Sequence, residues 1–507
     1  MFDCGFWNFA MKFKFVVLTI SGAFFITWSI SLYIITNFIS CEKQALARDA
    51  TIAEITSPFQ KEQLERAVKA NDRPPLVRFK WYTKSGGPIH IGYGGETGLT
   101  VLAPYGFQET TSDDWDLLWT MFPQWTYISQ NQAVSVPRSW QVHNHCFPLV
   151  ENQGISGTKV SQWEHYRCMR EKHGREAFWY MPDTIIIPSD ADLLKKELLA
   201  NRDPWILKPS LGKQGIGISV TTDSSSIPKH GNFVAQKYIA NPLLVFGRKF
   251  HLRLYLVVTN LLPLRILLHK EGLVLFASMN YTEDASSYMK LSVHLTNAAV
   301  ADRTNTQSQQ NSMLLSELWN HLGAQNIDIH KIWSRIADAM IKLVLSAQCS
   351  EEYDHRLSGT CFDMMGVDVL IDSNHNPHIM ETNNGPELHT ANPNIRMAND
   401  LAHKAVLNDV VPLVMRHRLA NTDSFQQKLA TFIEYYKIPV CRELSGFGGV
   451  CLSEPDIAEL WRLHYEELNL GNLQRLFPSK GNSHKYHQYF SNGLSKIDEI
   501  AAKWVEL

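Results

Sequence analysis

Short apolar runs bounded by prolines, glycines and other turn-forming residues recur through the middle of the chain. The runs Asp183–Pro188 (DTIIIP) and Pro204–Pro209 (PWILKP) are typical of short β-strands. A longer run, Leu262–Ser278 (LPLRILLHKEGLVLFAS), predicts a hairpin that turns at Lys270–Gly272. Apolar residues at helical spacing predict an amphipathic helix packed on a sheet: Ile332, Ile336, Met340, Leu343, Val344 and Ala347. The mixture of strands and helices predicts an α+β protein with more than one lobe.

A charge-free apolar segment, Phe15–Ile39, lies near the N-terminus. About 20 apolar residues are enough to cross a bilayer, whereas the apolar core of a cleaved signal peptide has roughly 7–15. The segment therefore predicts an uncleaved, single-pass transmembrane anchor with the lipid bilayer as a partner. The alternative is a buried helix of a soluble protein. Lys12 and Lys14 precede the segment and Lys43 and Arg48 follow it, so charge leaves the orientation open.

Composition narrows the class of protein. The 507 residues are 45% hydrophobic, as in a globular protein of roughly two to four structural units. A formal net charge of −2 gives no overall basic field, so nucleic acid is not an expected partner. The eight cysteines show no CxxC pair and no zinc-like spacing, so most are expected to be unbridged thiols. One N-glycosylation acceptor, Asn280-Tyr281-Thr282, keeps a lumenal topology open.

Oxygen-bearing side chains are concentrated in the stretch MGVDVLIDSNHNPHIMETNNGPEL, Met365–Leu388. Two strand-like runs, VDVLID and PHIMETN, flank the turn-forming residues SNHN. In an antiparallel hairpin Asp368 would lie nearly opposite Glu381 and Thr382, and Asn383 would share the face of Glu381. Such a set of oxygen ligands suits Mg²⁺, which keeps several waters or phosphates in its shell. The alternative is an acidic strand edge that faces solvent.

A glycine-containing loop follows the strand PWILKP. Lys208 ends the strand, and Gly212, Gly215 and Gly217 lie in a loop that leads into another strand. Backbone N–H groups of such a loop can approach phosphate oxygens while a lysine adds charge. The loop is not a Walker A motif, because Gln214 stands where Ser or Thr is required, and it opens no helix. A glycine hairpin without a ligand is the alternative.

Basic residues alternate with apolar ones in GRKFHLRLYLVV, Gly247–Val258. Period two places Lys249, His251, Arg253 and Tyr255 on one face of a strand, opposite an apolar face. A row of basic side chains in a nearly neutral protein indicates an anion nearby. The alternative is a solvated face of an antiparallel sheet.

Together these stretches resemble the tubulin–tyrosine ligase-like family of amino-acid ligases, which have the ATP-grasp fold. The resemblance covers roughly Asp114 to Phe490. Its motifs in this chain are DWDLLW, Asn144-His145, YMPDTIIIP, WILKP…GIGI, AQKYIANPLLVFGRKFHLRLYLVVT, HLTN, CFDMMGVDVLID…IMETN and GNLQRLFPSKGNSHKYHQYF. The resemblance implies a nucleotide bound between two lobes. The expected segments are a tail (1–14), an anchor (15–39), a stalk (40–97), an N-terminal lobe (98–200), central and C-terminal lobes (201–420) and a helical C-terminal appendix (421–507).

The resemblance also implies roles for individual residues. ATP and Mg²⁺ are the expected cofactors, and Lys208 and Arg253 the expected catalytic residues. Residues implied in ATP binding are Lys159 and Lys208 at the phosphates, Gln236, Lys237, Tyr238 and Ile239 at adenine, and Lys249, His251, Arg253, Thr296 and Asn297 around the ribose and the reacting phosphate. Asp368, Glu381 and Asn383 are implied as Mg²⁺ ligands. The implied reaction converts an acceptor carboxylate to an acyl phosphate, which the amine of an amino acid attacks to form an amide.

Two positions depart from the family pattern. KFHLR places His251 where the family has an aspartate, and KEGLVLF places Leu275 where the family has an arginine that holds the carboxylate of the incoming amino acid. Leucine cannot pair with a carboxylate. The expected function is therefore a membrane-anchored, ATP-dependent protein–amino-acid ligase, with tubulin or another protein as acceptor. The alternatives are a nucleotide-binding scaffold without ligase activity and an ATP-grasp ligase with a different acid or amine.

Overall fold

The structure is a computed structural model that describes residues 77–82, 107–109, 117–120, 142–143, 158–201, 203–212, 215–296, 311–349, 361–384, 386, 393–415 and 452–506. Its strands are β1 (Val77–Tyr82), β2 (Phe107–Glu109), β3 (Leu117–Thr120), β4 (Val142–His143), β5 (Thr184–Ile187), β6 (Trp205–Pro209), β7 (Ser219–Thr221), β8 (Phe233–Lys237), β9 (Leu244–Val245), β10 (Arg248–Leu261), β11 (Leu264–His269), β12 (Leu273–Phe276), β13 (Ser312–Leu314), β14 (Asp363–Ile371), β15 (Pro377–Asn384) and β16 (Leu473–Phe477). Its helices are α1 (Lys159–His173), α2 (Ala191–Asn201), α3 (Leu291–His294), α4 (Leu315–Gly323), α5 (Ile329–Ser346), α6 (Pro393–Met415), α7 (Glu454–Glu467) and α8 (Lys496–Glu506).

These strands form three sheets. A parallel sheet has the strand order β2-β1-β3-β4, and an antiparallel sheet has the order β5-β8-β6-β7. The largest sheet has eight strands and is built around β10, which is 14 residues long. The α+β prediction is therefore confirmed.

Strand β10 organises the large sheet because both of its edges are paired. On one edge Leu252–Val258 pairs with β14, which in turn pairs with β15. On the other edge β12 pairs with Phe250–Arg253 and β11 pairs with Leu256–Leu261, so β11 and β12 lie end to end. Strand β16 extends the sheet beyond β11, and β13 extends it beyond β12.

The predicted hairpin turn at Lys270–Gly272 is wrong. The tight turn lies earlier, at Leu262–Pro263, where Leu261 and Leu264 face each other as β10 returns into β11. Lys270–Gly272 instead connects β11 to β12, and the chain runs on in the same direction beside β10. A Cβ added to Gly272 would lie 2.7 Å from the carbonyl oxygen of Arg253, so this close passage requires glycine.

The two faces of the large sheet are covered by different helices. Leu252, Leu254 and Leu256 of β10 belong to a core that includes Leu318 and Leu322 of α4 and the apolar stripe of α5. That stripe contains Ile332, Ile336, Met340, Leu343, Val344 and Ala347, as the sequence pattern predicted. Tyr255 and Val257 point the other way and pack with Val406, Val410 and Val414 of α6. The basic face of β10 is therefore not a solvated face.

The smaller antiparallel sheet also has two distinct faces. Ile185, Trp205 and Leu207 pack against Leu194 and Leu198 of α2. Residues of the opposite face pack together with the segment after α3: Ile206, Val220, Tyr238 and Leu295. By strand alternation Lys208 shares this second face with Ile206.

The described C-terminal residues are more than a helical appendix. Strand β16 pairs with β11 within the large sheet. Arg265 of β11 is 1% exposed and lies 3.6 Å from Glu466 of α7, a residue that also accepts a hydrogen bond from Arg475 of β16. Because a buried charge requires a partner, α7 neutralises the guanidinium that the sheet buries. The C-terminal segment therefore adds a strand to the large sheet and supplies the carboxylate that faces the buried Arg265.

Two further expectations concern cysteines and the membrane. Cys168 of α1 and Cys349, just after α5, form a disulfide, and Cys361 is disulfide-bonded as well. The expectation of mostly unbridged thiols is therefore wrong for the cysteines that the structure describes. Among the described residues, no helix combines the length and apolarity needed to span a bilayer. The predicted anchor at Phe15–Ile39 lies outside those residues.

Candidate functional site

The predicted acidic hairpin forms as the sequence indicated. Asp368 of β14 pairs in register with Glu381 of β15, and Asn383 lies two residues further along β15, opposite Gly366. A register irregularity follows Asp368, so that the next pair is Val369 with Ile379. The hairpin brings two carboxylates and one amide to neighbouring positions, and the prediction of this geometry is confirmed.

Asp368 and Glu381 are each paired with a cation from another element. Arg253 of β10 donates two hydrogen bonds to Asp368, from Nε to Oδ1 and from Nη2 to Oδ2, the latter at 3.0 Å. Lys159, at the start of α1, donates to Glu381 Oε1 at 3.0 Å. Burial raises the pKa of Asp368, but the facing guanidinium of Arg253, together with His251 and Lys208, holds this pKa below its ordinary value. Both carboxylates therefore have compensating charges.

The donor set fits Mg²⁺. Asp368, Glu381 and Asn383 offer oxygen atoms, which a hard cation prefers, and the Glu381 side chain is 36% exposed and open to further ligands. Within the described part of the chain, no group of three or more His, Cys, Asp or Glu residues is arranged to hold a metal ion. Mg²⁺ needs no such cluster, because it commonly binds one or two carboxylates together with substrate phosphates.

Two buried lysines line the same region. Lys208 of β6 donates to Gln236 Oε1 at 2.8 Å, and Gln236 in turn donates to Thr184. Lys249 of β10 donates to the Tyr238 hydroxyl at 2.9 Å. Burial lowers the pKa of Lys208 to about 8. Burial, together with the positive charge of Lys208, lowers the pKa of Lys249 to about 7. Each lysine would gain charge if an anion were bound beside it.

Tyr238 connects Lys249 to α3. Its hydroxyl lies 2.8 Å from His294 Nδ1, and His294 Nε2 lies 2.9 Å from the Ser287 hydroxyl. Burial and the charge of Lys249 lower the pKa of His294 to about 4, so this imidazole is neutral at physiological pH. Sequence reasoning gave His294 no role, although it begins the quoted HLTN motif.

The remaining members of the predicted adenine segment lie in different environments. Gln236 is buried beside Lys208, whereas the Lys237 side chain is exposed and pairs with Asp203 at 2.9 Å. Lys237 can therefore contribute to a nucleotide site through its backbone, but its ammonium group points elsewhere. Ile239 is half-buried at the end of the segment.

His251 lies between Thr296 and the acidic hairpin. Its Nδ1 lies 2.5 Å from the Thr296 hydroxyl, and its buried Nε2 lies 3.7 Å from Asp368 Oδ1. Nε2 has no hydrogen-bond partner among the described residues. Burial, the first cause, lowers the pKa of His251, and Arg253 and Lys249 add to this effect. Asn297, predicted beside Thr296, lies outside the described residues.

The two departures from the family pattern are direct neighbours. His251 of β10 and Leu275 of β12 are paired in register across the two strands. Side chains of such a pair lie about 4.5–5.5 Å apart at Cβ. Arg265 does not replace the missing cation, because it is buried against Glu466 and Glu459. This cross-strand relation was not visible in the sequence, because it depends on the register of β12.

Comparisons with known proteins identify a family for this part of the chain. The sequence profile described as "Tubulin-tyrosine ligase family" matches residues 136–418, more than half of the chain. This range contains every predicted site residue.

Three relatives illustrate the similarity. Tubulin monoglutamylase TTLL4 of Mus musculus is 32% identical over 303 residues, covering 56% of this chain and 24% of the relative. Tubulin polyglutamylase TTLL5 of Homo sapiens is 29% identical over 311 residues, covering 57% and 23%. Tubulin polyglutamylase TTLL6 of Homo sapiens is 27% identical over 422 residues, covering 78% and 44%. The matched region spans about a quarter to less than half of these relatives' own lengths.

Proposed function

The chain belongs to the tubulin-tyrosine ligase family, and on that premise we propose that it is an ATP-dependent carboxylate–amine ligase that uses Mg²⁺. The observation that carries the proposal is the hairpin of β14 and β15. It places Asp368 and Glu381 side by side, and Arg253 and Lys159 bring a cation to each from outside the hairpin. The carboxylates suit a Mg²⁺ ion, and the nearby cations suit the phosphates that this ion would accompany.

The residues of the site have separable roles in this proposal. Asp368, Glu381 and Asn383 would hold Mg²⁺, which would supply positive charge to the phosphates. Lys159, which is paired with Glu381, would offer its ammonium group to a phosphate. Lys208 and Lys249 offer ammonium groups to the phosphates. Arg253, already oriented by Asp368, stabilises negative charge on the transferring phosphoryl group, as positioned cations do in phosphoryl transfer.

The proposed reaction has two steps. An acceptor carboxylate oxygen attacks the γ-phosphorus of ATP, ADP leaves, and an acyl phosphate forms. An amine nitrogen then attacks the acyl carbon, phosphate leaves, the nitrogen loses a proton, and an amide is formed. Tubulin is one candidate acceptor, because the relatives are named as tubulin glutamylases. Another protein with an accessible carboxylate is the alternative.

A second candidate function is nucleotide binding without ligation. The observation that favours it is the cross-strand pair His251–Leu275, which lacks the arginine for an amino-acid carboxylate. This change lies beside the acidic hairpin but leaves Asp368, Glu381 and their cations in place. It therefore affects the amine co-substrate more than the nucleotide.

We also propose that Phe15–Ile39 anchors the protein in a membrane as a single-pass segment. The support is its sequence alone, which carries no charged residue over a length sufficient for a bilayer.

The two candidate functions are separated by a covalent-product assay. Purified protein is incubated with Mg²⁺, ATP, a mixture of isotopically labelled amino acids and a glutamate-rich acceptor peptide. A ligase yields ADP and a labelled peptide together, and Lys208→Met loses both. ATP binding without any labelled peptide, for this and other carboxylate-bearing acceptors, would overturn the ligase proposal and support the nucleotide-binding scaffold.

A further inference from the structure

All cysteines within the described residues are oxidised. Cys168 and Cys349, separated by 181 positions, are bridged, and Cys361 is disulfide-bonded too. The cytosol keeps such thiols reduced, whereas structural disulfides are common in secreted, lumenal and cell-surface proteins. The bridging of these cysteines therefore indicates that this region folds in an oxidising compartment.

An independent feature points to the same compartment. The chain contains one N-glycosylation acceptor, Asn280-Tyr281-Thr282, and both Asn280 and Thr282 are exposed. Tyr281 between them is held in place, because its N–H donates to the Gly247 carbonyl at 2.9 Å and its hydroxyl donates to the Ala240 carbonyl at 2.7 Å. The loop is therefore fixed by its central residue, while the residues that an oligosaccharide transferase reads lie at the surface.

We propose that the catalytic region matures in the lumen of the secretory pathway and that Asn280 carries an N-linked oligosaccharide. The Cys168 and Cys349 thiols give up two electrons and two protons to a disulfide-exchanging oxidant of that lumen. At Asn280, Nδ2 bonds to the anomeric carbon of an oligosaccharide carried on a lipid diphosphate. The lipid diphosphate leaves, and the amide nitrogen loses one proton.

This location narrows the partner of the reaction, a consequence that rests on the proposed ligase function. A lumenal enzyme meets carboxylates of proteins that have entered the secretory pathway, and it does not meet tubulin in the cytosol. The acceptor class is therefore secretory or cell-surface proteins with exposed acidic side chains or C-termini. The location itself depends only on the disulfides and the acceptor sequence.

The experiment uses the full-length chain produced in cultured animal cells. Electrophoretic mobility is compared before and after an enzyme that removes N-linked oligosaccharides. We expect a mobility shift in the unmodified sequence and in Thr282→Ser, which keeps the hydroxyl that the transferase requires. We expect no shift in Asn280→Gln or Thr282→Ala. Asn232→Gln, an exposed asparagine outside any acceptor sequence, is the matched control and should shift normally.

A second measurement tests the disulfide directly. Thiols are alkylated before reduction, and peptides are then examined by mass spectrometry for a linked Cys168–Cys349 pair. A linked pair without any mobility shift would overturn the oligosaccharide at Asn280 while supporting the compartment. Absence of the shift together with alkylation of both cysteines without reduction would overturn the whole proposal. Neither readout depends on ATP binding, so failure here is distinguishable from failure of the ligase function.

Discussion

The pair His251–Leu275 is the most informative feature at the scale of single residues. The family pattern has an aspartate and an arginine at these positions, and register places the two positions opposite each other on β10 and β12. In this chain an imidazole and an alkyl side chain therefore occupy the paired positions. Neither Leu275 nor the neutral form of His251 supplies the cation that an amino-acid carboxylate would need.

Restoring both residues should restore recognition of an amino acid. In the variant His251→Asp with Leu275→Arg, a charged hydrogen bond worth roughly 1.5–3 kcal/mol should raise affinity for glutamate by about ten- to a hundred-fold. Initial rates at varied glutamate concentration measure this, with Leu244→Arg as the control that adds a cation at an exposed position of β9. Efficient glutamate ligation by the unmodified sequence would instead show that Leu275 is tolerated.

Binding of ATP should be coupled to proton uptake by Lys249. Burial, reinforced by Lys208, lowers the pKa of Lys249 to about 7 in the free protein, and bound phosphates would favour its protonated form. Above that pH the free protein lacks the proton that the complex holds, so affinity should fall by up to about tenfold per pH unit. Calorimetry in buffers of different ionisation enthalpy measures the uptake.

Lys249→Arg is the control for this coupling, since a guanidinium stays protonated over the whole pH range. It should bind ATP with a weaker pH dependence. Equal proton uptake by the unmodified sequence and by Lys249→Arg would show that another group takes the proton.

Sequence reasoning at this scale succeeded where partners are close along the chain. Asp368, Glu381 and Asn383 lie on two strands joined by a short turn. Their proximity could be predicted from the two-residue alternation of side chains along a strand and from the turn-forming residues between the strands. The pairs Lys159–Glu381 and Lys249–Tyr238 were not predicted as contacts. The first joins residues 222 positions apart, and no local pattern specifies such a contact.

At the scale of elements, β10 and β11 show what a pattern can and cannot determine. The alternation along β10 predicted its two faces, because burial of one face is a local property of a strand. The hairpin prediction failed because Lys-Glu-Gly is a good turn sequence, but here the chain does not turn at it. The strands on either side, β11 and β12, both pair with β10 instead of with each other. The choice between turning and continuing is decided by the partner strand, and by the close approach of Gly272 to Arg253.

The disulfide between α1 and the end of α5 should stabilise the fold without contributing to catalysis. It constrains a long segment of the unfolded chain, so Cys168→Ser with Cys349→Ser should lower the free energy of unfolding by about 2–4 kcal/mol. Denaturant unfolding of soluble protein measures the loss. Mg²⁺-dependent ATP affinity should stay within about threefold, because neither cysteine belongs to the site. A large loss of ATP affinity in the folded variant would show that the disulfide positions α1 and Lys159.

At the scale of the whole molecule, the C-terminal segment proved harder to predict than the site. Its helices were visible in the sequence, but β16 is a short strand whose partner, β11, lies about 200 residues earlier in the chain. Long-range pairing of this kind leaves little local signal. Deletion of residues 452–507 should therefore unfold the catalytic region rather than trim it, since β11 would lose its neighbour and Arg265 its carboxylates. Retained ATP binding after this deletion would contradict that expectation.

Membrane attachment is a separate property at this scale. If Phe15–Ile39 is an anchor, the full-length chain should stay with membranes after alkaline carbonate washing, because the apolar segment is held by burial in hydrocarbon. A chain lacking residues 1–40 should be released. Release of the full-length chain by carbonate would contradict the anchor.

The central claim is that the hairpin of β14 and β15 binds Mg²⁺ together with ATP, and calorimetric titration of ATP with and without Mg²⁺ tests it most directly. The comparison is between the unmodified sequence, Glu381→Gln, and Glu176→Gln as a control at an exposed position. Replacing a carboxylate by an amide keeps the shape but removes the charge that the cation requires. We predict that Glu381→Gln weakens Mg²⁺-dependent ATP binding by at least about tenfold, while Glu176→Gln leaves it unchanged. Unchanged Mg²⁺-dependent affinity in folded Glu381→Gln protein would contradict the account.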